Sequence, residues 1–118
     1  MNDADKPPFR PYKKHVILCT GPRCSEQGVG ASLYQHLKQR LKELELEDGF
    51  ERIQRSQAPC LGVCQGGPVG VIYPEGVWYH HLTQEKIERI IQDHLLDARP
   101  VQEWILFCHS SENDQVIP

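Results

Sequence analysis

Apolar runs in this 118-residue chain stop at four or five residues, as in Val16–Cys19 and Trp104–Cys108. A membrane-crossing helix needs about 20, so no membrane insertion is expected. The opening Met-Asn-Asp-Ala-Asp is acidic, with no apolar stretch behind it, and does not have the pattern of a secretory signal. There is no excess of basic residues: 13 Lys and Arg face 16 Asp and Glu, for a net charge of −3. A dedicated nucleic-acid surface would be clearly basic. There is no Cys-x-x-Cys, the usual signature of dithiol oxidoreductases and zinc ribbons. The length fits one domain that needs no disulfide scaffold.

What the chain does have is five cysteines. An odd count without an export signal fits a disulfide framework poorly. In a reducing, cytoplasmic setting, clustered cysteines bind metal or do redox chemistry. Cys19 and Cys24 form a Cys-x-x-x-x-Cys pair, Cys60 and Cys64 a Cys-x-x-x-Cys pair, and Cys108 stands alone. Each pair sits in a Gly/Pro segment: Thr20-Gly21-Pro22-Arg23 in the first, Leu61-Gly62-Val63 and then Gly66-Gly67-Pro68 in the second. Glycine lets backbone approach a ligand closely, and backbone N–H groups aimed at sulfur stabilise thiolate charge. Four thiolates also suit structural zinc, whose pair spacings span two to four residues. A zinc-stabilised binding module therefore remains a competing reading. A Rieske centre would need histidines beside the cysteines, and neither loop has one.

Periodicity supplies the scaffold. His15–Thr20 has the character of a short buried strand. Val29, Leu33, Leu37, Leu41 and Leu44 mark one face of a helix over 29–47, ended by Asp48-Gly49. Phe50–Ser56 is a weak second strand. Pro68–Tyr73 and Val77–Leu82 flank Pro74-Glu75-Gly76 as a hairpin. Thr83 is a candidate N-cap for a helix carrying Ile87, Ile90, Ile91, Leu95 and Leu96. The order β-α-β-β-β-α predicts an α/β, thioredoxin-like fold with a small mixed four-stranded sheet, its first two strands parallel through a right-handed crossover. Both cysteine loops follow strands, so they meet at one edge. The expected organisation is a loose arm over 1–13, a domain over 14–108 and a frayed tail over 109–118.

Cys19 and Cys24 ahead of a helix, then Cys60-Leu61-Gly62-Val63-Cys64 ahead of Gly67-Pro68-Val69, resemble the thioredoxin-like 2Fe–2S ferredoxins. The segment Gly67–Tyr79 is similar to that family's hairpin almost residue for residue, and the likeness spans roughly residues 14–107. It implies that Cys19, Cys24, Cys60 and Cys64 ligate one 2Fe–2S cluster per chain, that the protein exchanges single electrons with redox partner proteins and is no enzyme, and that it forms a homodimer, as some members do. A cluster-delivery or redox-sensing protein would use the same site. The short first spacing is that of the small 2Fe–2S subunit in the NADH-oxidising arm of respiratory complex I. That subunit carries an added N-terminal helical region, so a free carrier is expected here. Four thiolates bring −4 and two ferric ions with two sulfides +2. The site would then go from about −2 to about −3 on reduction, which favours a negative potential; plant-type clusters lie near about −400 mV.

Other residues carry less. Cys108 is expected to be a buried structural thiol, and Trp78, Tyr79 and Trp104 packing residues or part of a dimer contact; Arg23, inside the first loop, either offsets cluster charge, meets a partner or is a solvated loop residue. His80 and His81 fall late in the fourth strand, where neighbours point to opposite faces, so the two are not expected to share one metal. Pro68 stands where thioredoxins carry a cis proline.

Overall fold

β1 (Lys14–Cys19) enters the core on alternate residues: Val16 and Leu18 are buried, with Ile17 on the other face half-buried. The structure, a computed structural model, describes residues 6–21, 28–63, 66–109 and, by backbone, 114–116. α1 (Val29–Glu43) puts Leu33, Leu37 and Leu41 on one buried face at i, i+4 spacing. They join Val16, Leu18 and Ile72 in one apolar cluster. Each such leucine contributes about 1.5–3 kcal/mol relative to an exposed one. Val29 is exposed, so the helix face starts one turn later than its spacing predicts. The helix also ends at Glu43, four residues earlier than expected. Glu45 takes a left-handed conformation (φ 58°), and the Leu46 N–H donates back to the Leu41 carbonyl.

β2 (Ile53–Ala58) runs parallel to β1, with Lys14 opposite Ile53 and Cys19 opposite Ala58. β3 (Gly70–Tyr73) lies antiparallel on the other side of β1, and β4 (Val77–Tyr79) closes the hairpin. α2 (Gln84–Ile90) opens as predicted: the Thr83 hydroxyl accepts the Lys86 N–H at 3.2 Å, a cap worth about 1 kcal/mol. A π-helical segment, Ile91–Leu96, continues it. The spacing of Ile87, Ile90, Ile91 and Leu95 does not tell the two windings apart.

The α/β, thioredoxin-like class holds, but the sheet has six strands where four were expected. β5 (Ile105–His109) pairs antiparallel with β4, and β6 (Asp114–Val116) with β5, giving the order β2-β1-β3-β4-β5-β6. The apolar run after Pro100 becomes β5 because Ile105 joins the core and Phe107 lies opposite Trp78. The tail expected to fray supplies β6 through main-chain pairing. The end of the arm nearest β1 is tied down: the Arg52 guanidinium donates to the Pro11 and Arg10 carbonyls at 3.0 and 2.8 Å. Among the described residues no helix is long and apolar enough to cross a membrane.

Candidate metal centre

The parallel pairing of β1 and β2 ends at Cys19 and Ala58, so the chain leaves both strands at the same pole. The Thr20 N–H donates to the Ala58 carbonyl at 2.8 Å, carrying the pairing one step past the strand. The Cys19 Sγ lies 3.8 Å from the carbonyl oxygen of Pro59, the residue before Cys60. Glycine is required at this crossing: a Cβ on Gly21 would sit 1.8 Å from the Pro59 oxygen. A second close approach seats α1, since a Cβ on Gly30 would meet the Cys19 carbonyl oxygen at 2.5 Å. The glycines were visible in the sequence, but their partners were not.

The two described cysteines of the predicted set differ. Cys19 is fully buried at the end of β1. Cys60 is an exposed free thiol. The Gly62 N–H donates to the Cys60 Sγ at 3.3 Å, which is the backbone-to-sulfur bond that steadies a thiolate. Cys24, Cys64 and Arg23 lie outside the described residues. Among the described residues no three His, Cys, Asp or Glu side chains converge on a point. What is described fits an iron–sulfur centre: soft sulfur donors on two apposed glycine loops, one of them already accepting a backbone N–H.

Cys108 is remote from this pole. It pairs with Val77 in β5, level with Ile72 and Val16 three strands across, and is partly buried against the core. The Gly67–Pro68 peptide is cis, as the thioredoxin likeness anticipated. Past β4 the histidine pair departs from expectation. The strand stops at Tyr79, His81 turns left-handed (φ 48°), and the rings converge with the two Nδ1 atoms 2.6 Å apart. Burial, then His81 and Lys86, hold the His80 imidazole below its ordinary range.

Comparison with known proteins agrees with this geometry. The family model described as thioredoxin-like [2Fe-2S] ferredoxin matches residues 9–95. A 2Fe-2S ferredoxin of Clostridium pasteurianum is 29% identical over 94 residues, covering 76% of this chain and 92% of its own. A 2Fe-2S ferredoxin of Aquifex aeolicus is 28% identical over 101 residues, with coverages of 79% and 88%. A solved thioredoxin-like [2Fe-2S] ferredoxin from Aquifex aeolicus superposes with a TM-score of 0.67 at 25% identity, over 82% of this chain and 93% of its own. With the cysteine pole, the sheet and the sequence all in agreement, the chain belongs to the thioredoxin-like 2Fe–2S ferredoxins, electron carriers built around a 2Fe–2S cluster.

Proposed function

We propose that this chain is a low-potential one-electron carrier in which Cys19, Cys24, Cys60 and Cys64 hold one 2Fe–2S cluster as thiolates. The observation that carries this reading is the apposition of the two cysteine loops: Thr20 bonded to Ala58, and Cys19 Sγ beside Pro59 at the step before Cys60. When bound, the cluster supplies a centre that takes up and gives back one electron. The protein's part is to keep the sulfurs soft, close and hydrogen-bonded. Cys19, buried at the strand end, is the fixed side of the site, and Cys60, exposed, is its solvent-facing side. Since a ligand sulfur must be a thiolate, Cys19 and Cys60 would ligate deprotonated.

The electron-carrying domain is residues 14–108. Its partners are a donor and an acceptor protein, met through brief contacts of under about 1,200 Å². A homodimer is part of the same reading. It is supported by an apolar hollow of about 220 Å³ lined by Val63, Trp78, Leu106, Phe107 and His109. Light scattering during gel filtration measures the mass directly.

The deciding experiment is the visible spectrum of protein purified without oxygen, with iron, sulfide and zinc assayed on the same sample. A red-brown protein, bleached by dithionite and holding about two irons and two sulfides per chain, is expected. A colourless protein with one stoichiometric zinc, unable to accept a reconstituted cluster, would overturn it.

A further inference from the structure

β2 is an edge of the sheet, paired with β1 and, among the described residues, with no strand on its other side. The Lys13 N–H donates to the Arg52 carbonyl and the Thr20 N–H to the Ala58 carbonyl. The even-numbered residues of this stretch therefore turn their backbone groups toward β1, and Ile53, Arg55 and Gln57 turn theirs outward. The Leu46 carbonyl accepts the Ile53 N–H at 2.7 Å and closes the start of the edge. The outward backbone groups of Arg55 and Gln57 have no partner among the described residues. An open edge of this kind is where an extended segment of another chain adds as a further strand.

The side chains beside the edge say what such a segment carries. Arg10, Arg52 and Arg55 line a polar cleft of about 380 Å³ at the start of β2, together with Glu47 and Asp48. The chain as a whole has a net charge of −3, yet at this corner Arg10, Lys13, Arg52 and Arg55 outnumber Glu47, Asp48 and Glu51. Each of those carboxylates is already engaged: Asp48 by Arg10 at 3.0 Å, Glu51 by Lys13 at 3.5 Å and Glu47 by Arg55 at 3.4 Å. What is left over is donors. The Arg55 Nε is buried without a hydrogen-bond partner among the described residues, and the outward N–H groups of Arg55 and Gln57 lie alongside. An incoming segment must bring acceptors, and a carboxylate is the acceptor that matches a guanidinium best. Phe9 and Phe50 stand 76% and 84% exposed at the same corner, where Phe50 and Arg10 line an adjoining hollow. Exposed aromatics beside arginines have the composition of binding hot spots.

We propose that the free edge of β2 is a docking surface for an extended, acidic segment of a partner protein. The segment adds alongside Arg55 and Gln57 and sets its carboxylates on the guanidinium groups of Arg10 and Arg55. The arginines gather at the start of β2 and the cysteines follow its end, so the surface is distinct from the metal centre and does not depend on the chain carrying electrons.

The probe is a capped hexapeptide alternating Glu and Val, with its Lys/Val counterpart as control, added to the whole protein. Binding is read from the fluorescence anisotropy of dye-labelled peptide, and strand addition from hydrogen–deuterium exchange of segment 53–58. With the acidic peptide at about ten times its Kd, the fast-exchanging amides of that segment should slow about tenfold, and the Lys/Val peptide should leave them unchanged. Arg10→Glu, at an exposed position, should weaken binding about tenfold, the scale of one charge-assisted hydrogen bond. Phe50→Ser should weaken it about fivefold. Gln57→Pro removes one outward donor where an edge strand accepts proline and should also weaken it about fivefold. Peptide binding without slower exchange would make the cleft a site for a free anion and overturn strand addition. Equal binding of the two peptides, wild-type affinity in Arg10→Glu, or no binding at millimolar acidic peptide would overturn the docking surface itself.

Discussion

At the cysteine pole Cys60 is exposed and its sulfur takes one backbone N–H, whereas at the opposite pole His94 is fully buried and each of its ring nitrogens has a partner. That second network is described from end to end. The Val101 N–H donates to the Tyr79 hydroxyl at 3.0 Å, which lies 2.9 Å from the His94 Nδ1. The His94 Nε2 and the Lys14 Nζ each reach the same Glu75 oxygen at 2.7 Å. With a neutral imidazole, the form that burial favours, the protons place as follows. Tyr79, whose burial pushes it up to about 12, donates to a neutral His94, and His94 donates to an ionised Glu75. Burial alone would raise the Glu75 carboxyl, but hydrogen bonds from Lys14 and His94 overcome it and leave it below the usual carboxylate range. At this end the chain meets both His94 ring nitrogens itself and leaves one buried polar atom, Glu75 Oε1, without a hydrogen-bond partner among the described residues. The cysteine end instead turns the Cys60 thiol toward solvent.

The sharpest way to break the contrast is at the cysteine end. Cys60→Ser should abolish the cluster or strongly change its spectrum, read from visible absorbance and iron content; an unaltered spectrum would remove Cys60 from the ligands. At the other end the same kind of deletion should cost stability and leave colour intact. Glu75→Leu strands the largely buried Lys14 ammonium and should lower unfolding free energy in urea by about 2–3 kcal/mol, less than a fully buried pair because Glu75 is partly exposed.

Tyr79→Phe leaves the Val101 N–H without its acceptor and should cost about 1–3 kcal/mol. Acid should act through the same network. Burial holds His94 below its ordinary pKa, against the pull of Glu75, so the unfolded chain binds the proton more readily than the folded one. Its contribution is complete above about pH 6.5 and is lost as pH falls. Protonated Glu75 adds a further loss below its unfolded value near 4.5. Urea unfolding at pH 8, 6 and 5 should show the decline, and His94→Gln should flatten its upper part. The smallest expected effect is that of Cys108→Ser: spectrum and iron content unchanged, because Cys108 sits with Val77 away from the cysteine loops.

The parts of this structure legible in sequence are those written in side-chain pattern. Leucines four apart gave α1, Thr83 gave the start of α2, alternation gave β1, and the glycine-flanked cysteines pointed to the pole where β1 and β2 end. The parts that were not legible depend on main-chain or long-range partners. β6 exists because β5 offers it a free edge, and three polar-leaning residues, Asp114–Val116, carry no pattern of their own. Arg52 is unremarkable until its carbonyl acceptors arrive from 41 and 42 residues away. The His80–His81 pair was expected to alternate faces because strand geometry was extended three residues too far, to Leu82 instead of Tyr79. A single left-handed residue reversed the outcome.

The tie between Arg52 and the N-terminal arm sets a boundary for anyone who builds on this protein. The guanidinium spends its reach on the carbonyls of residues 10 and 11, and the Lys13 N–H pairs with the Arg52 carbonyl. Trimming up to residue 9, or joining an affinity tag or fusion partner there, leaves every one of these bonds in place. A cut two residues further in would remove a shackle that β2 wears at its first turn into the sheet.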